Sequence, residues 1–208
     1  NSEEKMIRQP RVEQIKKIIV TDVDGVLLNW EDAFITWMEH QGYKRVKGHQ
    51  FIYNAGEKFG LTPVEGKKWV RLFNQSAAIG FLPPLRDAQE ILKLLNKNYG
   101  YRFVVCTSLS TDVSAQKLRI KNLEKIFGSI FDEYIFLDTG ADKDSALYKL
   151  GKKYRGCYWV EDNIENAKAG AKVDFEPIVM EHGYNMNDEH EHFVAKNWED
   201  IYFKVVKG

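Results

Sequence analysis

Residues 18–26 read Ile-Ile-Val-Thr-Asp-Val-Asp-Gly-Val, an apolar run that ends in two aspartates one residue apart and then a glycine. A short Ile/Val-rich run closed by a glycine has the pattern of a strand covered on both faces of a parallel sheet. Its carboxyl end then delivers Asp22 and Asp24 to a loop at the sheet edge, where open α/β sheets bind their ligands. Two carboxylates this close repel one another unless a metal or a substrate uses them. Gly25 suits a sharp turn and a close approach of ligand to backbone.

Further β-rich apolar runs fall at 102–107, 134–137, 158–160, 177–180 and, more weakly, 193–195. Helical spacing separates most of them. Leu85, Ala88, Ile91, Leu92 and Leu95 recur at helix period and stop at Gly100; Ala115, Leu118, Leu123 and Ile126 do the same before Gly128. Strand and helix in alternation imply a parallel sheet flanked by helices, a Rossmann-like α/β fold.

The stretch 28–83 breaks this rhythm, being too long for one crossover and without a convincing strand. It is expected to be a small helical cap inserted into a core made of 1–27 and 84–208. Its first helix carries Trp30, Phe34, Trp37 and Met38 on one side, and a later one opens at Thr62-Pro63-Val64-Glu65, a capping box with proline at the first helical position. Pro83-Pro84 marks the return. Aromatic residues at helical spacing, here Trp30, Trp37, Phe51, Tyr53, Trp69 and Phe73, are read as the insertion's own core, with stacking on a substrate ring as the alternative.

At 208 residues the chain holds one good core with room for a smaller companion. Lys and Arg number 30 and so do Asp and Glu, so no global field draws in a nucleic acid polymer or an anionic membrane, and phosphate binding must be local. Cys106 and Cys157 lie in apolar runs without metal-ligand spacing and read as reduced, buried thiols. No run is long enough to span a membrane and no signal-peptide pattern opens the chain, so a cytoplasmic setting is expected, with residues 1–10 as a loosely held tail.

Three more polar groups follow later strands. Thr107-Ser108 ends Val104-Val105-Cys106, Lys143 opens a helix after the strand that closes at Asp138, and Glu161-Asp162-Asn163 follows Tyr158-Trp159-Val160. An acid pair, a hydroxyl, an ammonium and a second acid pair therefore converge on one edge. Lys149, Lys152 and Lys153 compete with Lys143 but fall later in the helix, where they should point away. His182, His190 and His192 share a polar stretch, read as a solvated loop in preference to a second metal site.

The series Asp-x-Asp-Gly, strand-terminal Thr, Lys and terminal acidic pair resembles the haloacid dehalogenase-like hydrolase superfamily over about residues 17–170. The resemblance implies a Rossmann-like core, magnesium and phosphoryl transfer through an aspartyl-phosphate. It makes Asp22 the nucleophile and Asp24 the general acid and base, and the second acid favours a phosphatase because the family's dehalogenases lack it. Thr107, assisted by Ser108, and Lys143 would bind the phosphoryl group; Asp22, the Asp24 carbonyl and Asp162 would hold magnesium, with Glu161 as an alternative ligand or a supporting residue.

Elementary chemistry agrees. A carboxylate with a reference pKa of about 3.9 is ionised at neutral pH and can attack phosphorus. A hard divalent cation with oxygen ligands then offsets its repulsion from a phosphate dianion. The expected substrate is a small phosphate monoester, and the start Asp-Val-Asp-Gly-Val-Leu-Leu with a short aromatic-rich cap is similar to nucleotidases. The same residues serve a phosphotransferase or phosphomutase, and a non-catalytic binding module on the same fold is the third reading.

Overall fold

A computed structural model describes residues 17–208, and the tail expected at 1–10 lies outside them. Six strands form one sheet: β1 (Ile18–Thr21), β2 (Arg102–Ser108), β3 (Phe131–Leu137), β4 (Tyr158–Glu161), β5 (Glu176–Met180) and β6 (Phe193–Ala195). All pair in parallel, in the order β3-β2-β1-β4-β5-β6. Each apolar run of the sequence is thus a strand. β3 begins at Phe131 and not at residue 134, with Asp132 and Glu133 inside it, because it is an edge strand and only partly covered.

The chain leaves β1 for β2 and β3 on one side and returns to β4 on the other. That reversal opens a crevice beyond the carboxyl ends of β1 and β4. Successive strand residues face opposite sides, so strands with apolar residues at consecutive positions need cover on both. Ile19, Phe103, Val105, Val160 and Ile178 pack with α3 (Ala88–Tyr99), α4 (Val113–Phe127) and α7 (Trp198–Tyr202). Val20, Val104, Cys106 and Trp159 pack with α5 (Asp144–Tyr154) and α6 (Ile164–Ala171). α6 approaches so closely that a Cβ at Gly170 would lie 2.3 Å from Trp159 Cδ1. Each large apolar side chain buried in this way contributes about 1.5–3 kcal/mol.

Residues 28–83 contain no strand. They hold α1 (Trp30–His40), α2 (Pro63–Asn74) and 3-10 turns at His49–Phe51, Glu57–Phe59 and Ala77–Phe81. Their two ends are pinned together: Asn29 N donates to Pro83 O at 2.8 Å and Leu85 N to Leu27 O at 2.8 Å. α2 starts as the capping pattern requires, with the Thr62 hydroxyl accepting from Glu65 N and Pro63 in the first turn. Trp30, Phe34, Trp37, Phe59, Trp69 and Phe73 form a continuous set of ring contacts, whereas Phe51 and Tyr53 are exposed. Lys58 is buried, yet its ammonium meets Glu31 at 2.8 Å and the carbonyls of His49 and Ile52, so its charge and donors are satisfied.

Neither cysteine forms a disulfide among the described residues; Cys106 is buried and Cys157 half-buried. Burial pushes the Cys106 thiol up to about 12. Among the described residues no helix is long and apolar enough to cross a membrane.

Candidate active site

β1 hands its last residue to a tightly wound loop. Asp22 N still donates to Val160 O of β4 at 2.9 Å, and Val23 O then accepts from the amides of Val26, Leu27 and Leu28. The turn needs Gly25, whose φ is +77°, and a Cβ there would stand 2.4 Å from Asp162 Oδ2. The group that approaches this backbone is therefore the Asp162 carboxylate, where the sequence suggested a ligand.

Asp22 Oδ1 accepts from Val23 N at 2.8 Å and from Lys143 Nζ at 2.9 Å. Lys143, the N-cap of α5, is only 3% exposed and its ammonium also meets Glu161 Oε2 at 2.7 Å. Glu161 is the last residue of β4, and its Oε1 accepts from the amides of Asp162 and Asn163 at 3.0 and 3.1 Å. Asp162 is held in turn by the Tyr184 hydroxyl on Oδ2 and by Asn185 Nδ2 on its carbonyl at 2.8 Å. Lys149 and Lys152 are exposed, and Lys153 pairs with Glu133 on the outer edge.

Asp22, Glu161 and Asp162 each offer an oxygen within 4.8 Å of the others, and all are buried. Burial, and next the Glu161 carboxylate, push Asp22 well above the usual carboxylate range against the pull of Lys143. Burial lifts Glu161 to about 7 against the opposing charge of Lys143. Burial and then the Asp22 charge lift Asp162 to about 7. For Lys143 burial favours the neutral amine, but Asp22 and Glu161 outweigh it and hold the ammonium above its ordinary value. Three carboxylates thus share one ammonium, and the excess negative charge fits a cation with oxygen ligands.

Asp24 has a cation of its own in Arg119. Its Oδ1 accepts from Arg119 Nη2 at 2.8 Å, and burial raises its carboxyl above the usual value while Arg119 opposes this. Thr107, fully buried near the end of β2, accepts from Arg119 Nη1 at 3.3 Å. Ser108 donates to Ala141 O at 2.7 Å, so its hydroxyl braces the loop ahead of α5. Neither hydroxyl caps α4, because Asp112 does so through Ser114 N.

The loop after β5 contributes residues that the sequence did not single out for this site. His182 Nε2 lies 2.6 Å from Gly25 O, its Nδ1 lies 3.3 Å from Arg86 Nη2, and its ring stacks on Tyr184 at 4.9 Å. Accepting from Arg86 at Nδ1 leaves Nε2–H to donate to Gly25, and burial lowers the His182 pKa. His190 and His192 stack on each other at 5.5 Å. No histidine joins the carboxylates in the metal-competent cluster found among the described residues.

The insertion touches this edge twice. Tyr53 packs edge-on against Tyr184 at 5.2 Å. At the end of α2, Arg71 pairs with Asp138 at 3.0 Å, Asn74 Nδ2 donates to Leu109 O at 3.0 Å and Gln75 Nε2 donates to Ser110 Oγ at 3.3 Å. A cleft of about 350 Å³ opens beside Asp162, with Tyr53, Asn163, Lys168 and Tyr184 in its walls. A larger depression of about 530 Å³ lies on the outer face of α4, away from every carboxylate of the site.

Comparison with known proteins places the fold and the family. The chain is 24% identical over 198 residues to an uncharacterized 32.4 kDa protein of Enterobacteria phage T4, covering 92% of this chain and 70% of that one. A D,D-heptose 1.7-bisphosphate phosphatase from B. bronchiseptica, complexed with magnesium and phosphate, superposes with a TM-score of 0.59 at 12% identity, over 92% of this chain and 98% of its own. A dehalogenase with an intermediate complex superposes at 0.61 and 12% identity, over 93% and 99%. Likeness at these identities carries the fold alone. A family model described as haloacid dehalogenase-like hydrolase matches residues 16–174. With most of its length inside that match, the chain belongs to the haloacid dehalogenase-like hydrolases.

Proposed function

We propose that this protein is a magnesium-dependent phosphatase that hydrolyses a small phosphate monoester through an aspartyl-phosphate on Asp22. The observation that carries the reading is the Asp22 carboxylate, held by Lys143 at 2.9 Å, with a second acid, Asp24, on the same loop. A hydrolase of this family with both acids has a nucleophile and a separate proton donor, which supports phosphoryl transfer over dehalogenation.

Asp22 Oδ1 is taken by Val23 and Lys143, so the attack is assigned to Oδ2. An Oδ2–P bond forms as the ester P–O bond breaks, and Asp24 gives its proton to the leaving oxygen. Water then attacks the same phosphorus, Asp24 takes a proton from it, the Oδ2–P bond breaks, and phosphate leaves. Lys143 opposes the protonation of Asp22 that burial favours and faces the charge that gathers on the phosphoryl oxygens, to which the Thr107 hydroxyl donates. Asp22, the Asp24 carbonyl and Asp162 would hold magnesium, which supplies charge neutralisation at the phosphoryl group. Glu161 stands behind this set, orienting Lys143 and the Asp162 backbone. The insertion, as a cap, would exclude water and select the leaving group.

The test is phosphate release from nucleoside monophosphates, sugar phosphates and an aryl phosphate, with and without EDTA, with Asp22→Asn as control. Release that stops in EDTA and in the variant supports the reading and ranks the substrates. Release that persists in Asp22→Asn removes the assigned nucleophile, and silence from every ester moves the protein to phosphotransfer or binding.

A further inference from the structure

Arg119 lies in α4 between Ala115 and Leu123, one helical turn from each, on the face turned to the core. It is 0% exposed, the most deeply buried charge beside the site. A guanidinium taken out of water is strongly destabilising unless pairing and hydrogen bonds offset the loss. Here they do so incompletely. Nη2 reaches Asp24 Oδ1 at 2.8 Å and Nη1 reaches Thr107 Oγ1 at 3.3 Å, but Nε has no partner and is the sole such buried side-chain atom among the described residues. A residue kept only for packing would be apolar at this position. The side chain instead gives up one hydrogen bond while spanning the loop after β1 and the end of β2.

We propose that Arg119 is a positioning residue for phosphoryl transfer, one planar fork that fixes the Asp24 carboxyl and the Thr107 hydroxyl relative to each other. The inference rests on the phosphatase reading above and extends it. With Oδ1 of Asp24 occupied by Arg119, the proton passed to the leaving oxygen resides on Oδ2. With Oγ1 of Thr107 accepting from Arg119, its own O–H is left to donate to the phosphoryl group. A lysine offers a single point charge in place of two donors in fixed geometry, and so holds at most one of the two partners.

Two esters separate this role from a structural ion pair. Nitrophenyl phosphate expels a phenolate that needs no proton, whereas glycerol 2-phosphate expels an alkoxide that does. The readout is kcat/KM, which reports transfer onto Asp22 before water enters. In Arg119→Met, kcat/KM for glycerol 2-phosphate is expected to fall by about 100-fold or more, the scale of general acid catalysis, and for nitrophenyl phosphate by less than about tenfold. Arg119→Lys restores part of the first loss. In an Asp24→Asn background, Arg119→Met adds on the alkyl ester only the loss of less than about tenfold seen with nitrophenyl phosphate, because the part that acts through Asp24 is already gone and only the Thr107 part remains. Equal losses on the two esters, or losses that multiply in the double variant, overturn the proposal. If Arg119→Met does not fold by circular dichroism, Arg119→Lys carries the same comparison of esters. A wild-type protein silent on both esters removes the phosphatase reading and this inference together, whereas an active one with ester-independent losses removes this inference alone.

Discussion

The Lys143 ammonium stands 2.9 Å from Asp22 and 2.7 Å from Glu161, and Asp162 completes the acidic set without a cation of its own. Glu161 and Asp162 titrate at about 7 in the folded protein, against 4.5 and 3.8 as free side chains. The folded state therefore holds more protons than the unfolded chain between those values. The contribution of these two groups to stability is accordingly full below about pH 4 and is lost as pH rises through about 7. A cation that binds the ionised cluster reverses the loss. Added magnesium is therefore expected to raise Tm more at about pH 8 than at about pH 5, measured against EDTA by thermal melting. A magnesium shift equal at both pH values, or none, contradicts the assignment of this cluster as the metal site. Asp22, Asp24, Lys143 and Asp162 were legible because strand ends and their order name them. Arg119 was less so, although its spacing to Ala115 and Leu123 put a charge on an apolar helix face, and that was the available signal. Tyr184 and His182 carry no such pattern, since a polar loop reads the same whether or not it folds back onto a carboxylate.

Among the elements, α2 joins the insertion to the sheet through Asn74. Its Oδ1 accepts from Trp30 Nε1 at 2.8 Å and its Nδ2 donates to Leu109 O at 3.0 Å. Leu109 O has a second donor in the Thr139 hydroxyl at 2.7 Å, so the loss of Asn74 orphans only the Trp30 indole. Asn74→Leu is expected to destabilise the protein by about 1–3 kcal/mol, the usual cost of a buried unpaired donor. Urea unfolding checks it, and an unchanged midpoint would show that the indole finds another acceptor. The six strands could be read from apolar runs because both sheet faces are covered. Their ends could not, since β2 and β4 each run one residue further into the polar signature, to Ser108 and Glu161. The 3-10 turns of the insertion were invisible for a related reason: runs of three to five residues are too short to show a period.

At the scale of the molecule, one apolar cluster runs from Phe34, Met38, Phe59 and Phe73 of the insertion through Ile79 and Leu82 to Ile91, Phe103 and Val160 of the core. The sequence divides the chain at residues 28–83, but packing gives the two parts a shared interior, with the ends of the insertion stitched at Asn29–Pro83 and Leu27–Leu85. Parts that share a core unfold together. Far-UV circular dichroism and tryptophan fluorescence in urea should therefore give coincident transitions, with indoles at Trp30, Trp37 and Trp69 reporting the insertion and those at Trp159 and Trp198 reporting the sheet. Trp37 packs against Phe34, Trp69 and Phe73, so Trp37→Ala removes cluster volume and is expected to lower stability by about 2–4 kcal/mol, moving that single midpoint to lower urea. The ranking of substrates should stay the same, because those ring contacts lie within the insertion. Two separated transitions would show that the insertion folds on its own, and an altered substrate ranking with unchanged stability would place Trp37 against the ligand.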